Sequence, residues 1–187
     1  MRTLIVVPIV HTPEDLGTHI DEVKRQYIQR HGLRHWQQRL GRVEELWQDI
    51  RRRVLALPLD LSKVKLYQDG LPECGRELEI VEELAQEGSK NYLLLLELVR
   101  KGGTLMGTES PALLMREREL FTHRIAAGKK PGPSRQGLYD RLIERRDEYI
   151  AQRINATLQD GETGLLFIGA LHKVQLKLPP DVEIRGL

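Results

Sequence analysis

The stretch Leu165-Leu166-Phe167-Ile168-Gly169-Ala170-Leu171-His172 is a short apolar run that reaches a glycine and, after two further residues, ends in a histidine. Three other apolar runs have the same form: residues 4–10 lead into His11, residues 64–68 into Asp69, and residues 104–108 into Glu109. Continuous apolar runs are typical of parallel strands that are buried on both faces. If the four runs are neighbouring strands, two imidazoles and two carboxylates gather at the carboxyl edge of one sheet, where open α/β folds bind their ligands.

The segments between these runs have the spacing of helices. Apolar residues recur at intervals of three and four over residues 16–27, 36–54, 78–84, 91–100, 111–127 and 138–159. Strands that alternate with helices predict an α/β fold: a mainly parallel sheet of four to five strands, counting a short last strand at 182–184, with helices on both faces. Residues 13–57 are predicted to form an inserted helical hairpin. The basic, Gly- and Pro-rich residues 128–137 are predicted to form a flexible loop.

Length, charge and cysteine content limit the class of protein. A chain of 187 residues suits one α/β domain, 1–187, and a formal net charge of +2 gives no global basic field that would require nucleic acid. Cys74 is the only cysteine, which excludes a disulfide within the chain and a cysteine-based zinc cluster. Because no secretory signal is evident and residues 93–96 are too short an apolar run to span a bilayer, we expect a cytoplasmic protein without a membrane partner.

Each residue at a strand end has a functional and a structural interpretation. His11 and His172 would be metal ligands or general bases, or histidines that only bond a backbone group. Glu109 precedes a predicted helix start, where a carboxylate also stabilises the helix dipole, and Asp69 begins an Asp-Gly turn. Arg146 would reach an anionic substrate or a site carboxylate. For Arg146 and the adjacent Asp147, however, solvated charges on a helix surface are the favoured explanation.

Two histidines and a carboxylate form the ligand set of many hydrolytic zinc sites, with a fourth position left for water. The candidate ligands for a divalent metal, zinc or manganese, are therefore His11, His172, Glu109 and Asp69. In a metal-free alternative, His11 is the base and Glu109 either orients it or is its partner acid.

A resemblance to a known superfamily adds to this interpretation. The helix segment Arg146-Asp147-Glu148-Tyr149-Ile150-Ala151-Gln152-Arg153-Ile154, then Gly161 and residues 164–172, resembles the closing motif of the TraB/Tiki/ChaN/erythromycin-esterase-like superfamily, in which an Arg-Asn or Arg-Asp helix leads to a strand ending Gly-x-x-His. Gly169 to His172 matches that motif, whereas Pro8-Ile9-Val10-His11 has proline where the N-terminal Gly-x-x-His of the family has glycine. The resemblance implies a hydrolytic, sometimes metal-dependent site with His11, Glu109 and His172 at its core and Arg146 assisting.

The expected function is that of a hydrolase of a small molecule or peptide, with a His/carboxylate site at the strand ends and a metal where one binds. A first alternative is a binding module for a nucleotide or another anionic ligand. A second is a structural or assembly protein that forms a homodimer through Trp36 and Trp47 of the hairpin, although core packing also explains these tryptophans.

Overall fold

The computed structural model describes residues 1–10, 20–127 and 133–187, except for the side chains of 124–127 and 133–135. One sheet contains the strands β1 (Arg2–Ile9), β2 (Val64–Gln68), β3 (Thr104–Met106), β4 (Thr163–Gly169) and β5 (Val182–Gly186). Their order across the sheet is β3-β2-β4-β1-β5, and every pairing is parallel. The α/β fold with a parallel sheet is therefore confirmed.

The helices connect successive strands. They are α1 (Ile20–His31), α2 (Leu33–Leu55), α3 (Glu77–Gln86), α4 (Lys90–Arg100), α5 (Pro111–Ala127) and α6 (Pro133–Thr157), with short 3₁₀ helices at Leu61–Lys63 and Val174–Lys177. Among the described helices, α1 and α2 lie between β1 and β2, α3 and α4 between β2 and β3, and α5 and α6 between β3 and β4. No helix within the described ranges is long and apolar enough to cross a membrane.

Both faces of the sheet are buried. Ile5, Val7 and Phe167 pack with apolar residues of α2, α3 and α4, whereas Leu4 and Ile168 point to the opposite face and pack with residues of α6. Because successive side chains of a strand point to opposite faces, a strand covered on both sides needs apolar residues at every position. This explains why the strands appear in the sequence as continuous apolar runs.

The predicted hairpin consists of α1 and α2, which are separated by Gly32 alone. Gly32 has a φ of 85°, a conformation that glycine adopts without steric cost. The rings of Tyr27 and Trp36 lie 5.5 Å apart between the two helices, and Trp47 donates from Nε1 to the carbonyl of Val10 at 3.1 Å. Both tryptophans are buried within the chain. They are therefore not available to contact a second copy of the chain. The hypothesis of a homodimer formed through Trp36 and Trp47 has no support from the structure.

The boundary of the predicted loop at 128–137 is corrected by the structure. Residues 133–137 belong to the first turns of α6, and residues 128–132 lie outside the described part of the chain. Proline is compatible with the first helical position because its missing N–H would have no partner within the helix there. The predicted helix start near Thr12 and the candidate residue His11 also lie outside the described residues.

Candidate active site

The carboxyl ends of β2 and β4 lie side by side and bring Asp69 and His172 to the same edge of the sheet. The backbone N–H of Asp69 donates to the carbonyl of Phe167 at 2.9 Å, which continues the pairing of the two strands. On the other side of β4, Ile9 of β1 is level with Gly169. The strands that precede His11 and His172 are thus neighbours with the same direction, although the side chain of His11 is not described.

Arg146 of α6 is the centre of the polar contacts at this edge. It is 3% exposed, and its Nε and Nη2 donate to the two carboxylate oxygens of Glu109, each at 2.6 Å. Nη2 also donates to Oδ1 of Asp69 at 2.8 Å, and Nη1 lies 2.5 Å from Oε1 of Glu117 on α5. This forked geometry is the strong form of an arginine–carboxylate pair, so Arg146 holds three carboxylates from separate segments in place.

Backbone groups fix two of these carboxylates, Asp69 and Glu109, from the strand side. The N–H of Gly169 donates to Oδ2 of Asp69 at 3.0 Å, and the N–H of Gly70 donates to Oε1 of Glu109 at 2.7 Å. Because each carboxylate bonds both a strand end and Arg146, the ends of β2, β3 and β4 are tied to α6. The backbone at the strand ends therefore helps to fix the positions of Asp69 and Glu109.

His172 is oriented by Asp147, the residue that follows Arg146. The ring Nδ1 lies 2.5 Å from Oδ1 of Asp147, whose Oδ2 accepts from the N–H of Lys173 at 2.8 Å. The other ring nitrogen, Nε2, faces Oδ2 of Asp69 at 3.6 Å, which is longer than a hydrogen bond. We call Asp69, Glu109, Arg146, Asp147 and His172 the strand-edge cluster.

Burial and neighbouring charges shift the pKa values of three groups in this cluster. Burial disfavours the imidazolium of His172, but the hydrogen bond with Asp147 and the charge of Asp69 outweigh that effect and raise the pKa of His172 above its usual value. Burial also raises the pKa of Glu109, while the contact with Arg146 favours its ionised form. Arg146 loses solvation by burial, yet the surrounding carboxylates raise its pKa, so it stays protonated. The cluster therefore combines the guanidinium of Arg146 with a histidine whose protonated form is stabilised by its neighbours.

The charge around the cluster is mainly negative. Among the described residues, one guanidinium and one imidazole are surrounded by four carboxylates: Asp69, Glu109, Glu117 and Asp147. Every guanidinium nitrogen of Arg146 already bonds a carboxylate. This arrangement favours a neutral or cationic ligand, so the anionic-ligand alternative receives no support from Arg146.

The predicted metal ligands do not form a metal site in the described part of the chain. Among those residues, no group of three or more His, Cys, Asp or Glu side chains is arranged to hold an ion. The guanidinium of Arg146 bonds both Asp69 and Glu109, so a zinc or manganese ion would have to displace it. The described donors do not fit the metal, and His11 lies outside the described residues.

The explanation of Arg146 and Asp147 as solvated helix charges is wrong, because both are 3% exposed. A signal for their burial is present in the sequence. Arg146 lies four residues before Ile150, and Asp147 lies four residues before Ala151, so both continue the apolar face of α6. The participation of Glu117, which is on α5 and only partly buried, has no comparable signal.

No family model, curated protein or solved structure matches the chain significantly. The resemblance to the TraB/Tiki/ChaN/erythromycin-esterase-like superfamily therefore stays a prediction based on short motifs. Any functional proposal therefore depends on the geometry of the strand-edge cluster.

Proposed function

We propose that the chain is a hydrolase and that the strand-edge cluster is its active site. The observation that carries this proposal is the buried pair of Asp147 and His172, joined at Nδ1 by a 2.5 Å hydrogen bond, with Nε2 directed at the carboxylate of Asp69. A histidine oriented by a carboxylate at one nitrogen and available at the other is the arrangement that general acid–base catalysis needs.

In this proposal His172 is the general base and then the general acid. Asp147 accepts a hydrogen bond from Nδ1–H, so the lone pair of the neutral ring lies on Nε2 and can accept a proton from a water molecule. Nε2 takes a proton from that water while the water oxygen bonds to the carbonyl carbon of the substrate. The imidazolium then returns the proton to the leaving group as the bond between carbonyl carbon and leaving group breaks. In this scheme the water lies against both Nε2 and Oδ2 of Asp69, which are 3.6 Å apart.

Arg146 has a positioning role in this scheme. Its donors are directed at Glu109, Asp69 and Glu117, so it acts through these carboxylates and does not contact the substrate itself. The excess of carboxylates favours a neutral or cationic substrate, either a small molecule or a peptide, over a phosphate ester.

The test is a comparison of hydrolysis rates for a panel of esters, peptide anilides and phosphoesters. We expect His172→Gln to lower kcat for the accepted substrate by about 10²-fold or more, because general acid–base catalysis contributes roughly that much. His123→Gln is the matched control, since His123 is an exposed histidine on α5. A folded His172→Gln variant that hydrolyses the panel at the wild-type rate would contradict the proposal.

A further inference from the structure

Two buried polar side chains on the α4 side of the sheet carry atoms that have no hydrogen-bond partner within the described part of the chain. Gln68 is fully buried and Asn91 is 1% exposed. The atoms concerned are Oε1 of Gln68 and both Nδ2 and Oδ1 of Asn91. Buried polar atoms in folded proteins are nearly always hydrogen-bonded, because burial without a partner is unfavourable. Three such atoms on two residues therefore point to a ligand that supplies their hydrogen bonds.

The two residues lie on the same face of the sheet. Gln68 follows Leu66 by two positions on β2, so its side chain points to the same face as Leu66, which packs against α4. Asn91 is in the first turn of α4, and the neighbouring residues Tyr92, Leu94 and Leu95 belong to the core on that face.

They also lie at the same edge. After α4, a Cβ on Gly102 would be 3.8 Å from the backbone of Ser62, just before β2 begins. The eleven residues of α4 span about 16 Å, and the distance from Lys65 to Asp69 along β2 is about 13 Å. Because α4 runs back along the sheet, its first turn reaches the level of Asp69, at the carboxyl edge.

Gln68 connects this place to the strand-edge cluster. Its side-chain Nε2 donates to the carbonyl of Asp69 at 2.9 Å, and its backbone N–H donates to Oγ1 of Thr108 at 2.9 Å, next to Glu109. Gln68 is therefore next to Asp69 in the chain and bonded to the residue before Glu109, and its unpartnered Oε1 lies on the other face of the same edge.

We propose, building on the proposed hydrolase function, that Gln68 and Asn91 are substrate-binding residues that recognise an amide group. Nδ2 of Asn91 donates to the amide carbonyl, while Oδ1 of Asn91 and Oε1 of Gln68 accept from amide N–H groups. A carboxylate or phosphate has no N–H to offer these two acceptors, and the neighbouring acids repel it. The substrate class is thus a carboxamide or a peptide, bound in a conformation more open than the one in this structure, since the three atoms are buried.

The experiment measures binding of N-acetylglycinamide by the full chain, with the side-chain amide signals of Asn91 and Gln68 followed by NMR. We expect Asn91→Leu and Gln68→Met each to weaken binding about tenfold or more, because Asn91→Leu removes two hydrogen bonds to the amide and Gln68→Met removes one. Sodium acetate should leave the signals unmoved. Unchanged affinity in Asn91→Leu, or equal binding of acetate, would overturn the proposal.

Thermal unfolding gives a second readout. Asn91→Leu has a similar shape and removes two unpartnered atoms, so its Tm should rise. Thr108→Val is the matched control, because Oγ1 of the buried Thr108 has internal partners, the N–H of Gln68 and the carbonyl of Met106, and its Tm should fall. A lower Tm in Asn91→Leu would show that Asn91 has its partner inside the protein and would overturn the proposal.

Binding and turnover separate this inference from the proposed function. If the amide binds through Asn91 and no substrate is hydrolysed, the proposal of amide recognition is supported and the proposed hydrolase function is contradicted. If His172-dependent hydrolysis occurs and Asn91→Leu keeps the wild-type KM for amides, the hydrolase stands and the recognition site fails.

Discussion

Asp147 and His172 come from different elements, 25 residues apart in the chain, and are joined by a hydrogen bond of 2.5 Å between Oδ1 and Nδ1. Both residues are buried. Asp147 is further fixed by the N–H of Lys173, which follows the histidine. Asp147 therefore sets the orientation of the His172 ring and raises its pKa. It does so from the Nδ1 side, so it does not contact Nε2.

The first prediction concerns Asp147→Asn. The amide cannot stabilise the imidazolium or impose the Nδ1–H tautomer, so we expect kcat to fall by about 10²- to 10⁴-fold with little change in KM. Neutral imidazole is the base, so the rate rises as pH passes above the pKa of His172, which Asp147 raises. The ascending limb of the pH–rate profile should therefore move to lower pH in the variant. A limb that stays in place would show that His172 is not the titrating group.

The second prediction concerns the pH dependence of stability. The folded pKa of His172 lies above its unfolded value, so the protonated ring contributes stability that is fully present below about pH 6.5 and is lost as pH rises through the folded pKa. The difference in free energy of unfolding between wild type and His172→Gln should shrink over that interval. Urea unfolding at a series of pH values measures it, and a constant difference would contradict the raised pKa.

The third prediction concerns Arg146 as the partner of buried carboxylates. Arg146→Met leaves Asp69 and Glu109 buried without their cation, and we expect a loss of about 3–5 kcal/mol in the free energy of unfolding. Arg145→Met is the matched control, because the neighbouring Arg145 is exposed and should change stability by less than about 0.5 kcal/mol. Adding Glu109→Gln to Arg146→Met should restore part of the loss. If Arg146→Met and Arg145→Met change the free energy of unfolding by the same amount in urea, Arg146 does not stabilise the buried carboxylates.

The fold could be predicted from the sequence because its strands are covered on both faces, so residues such as Leu165, Leu166 and Phe167 are all apolar. The strand ends also place Asp69, Glu109 and His172 at one edge through topology alone. The spacing of Asp147 from Ala151 places it on the apolar face of α6, but its pairing with His172 depends on how α6 packs against the sheet and could not be predicted. Asn91 gave no signal at all, since a polar residue in the first turn of a helix is ordinary unless its burial is known.

The fourth prediction concerns metal. Because Arg146 bonds both Asp69 and Glu109, we expect dialysis against a chelator to leave the Tm and the His172-dependent rate unchanged. Elemental analysis of untagged protein before and after dialysis gives the metal content. One zinc or manganese per chain, lost in His172→Gln, would require Arg146 to leave its place between the carboxylates and would restore the metal-assisted hypothesis.

The last prediction uses two glycines with opposite surroundings. A Cβ on Gly107 would lie 2.6 Å from Cα of Glu73, whose N–H donates to the carbonyl of Glu109 at 2.8 Å. Because the backbone at Glu73 would have to move, Gly107→Ala should displace the segment beside Glu109, lower the free energy of unfolding by about 1–3 kcal/mol and reduce kcat.

Gly41→Ala is the matched control. Gly41 lies on the exposed side of α2, where an added Cβ would meet no atom within 4 Å, so Gly41→Ala should stabilise the chain by about 0.5–1 kcal/mol without a change in rate. Urea unfolding and the hydrolysis assay measure both effects, and a Gly107→Ala variant with wild-type stability and rate would show that the segment at Glu73 is not held as the structure has it.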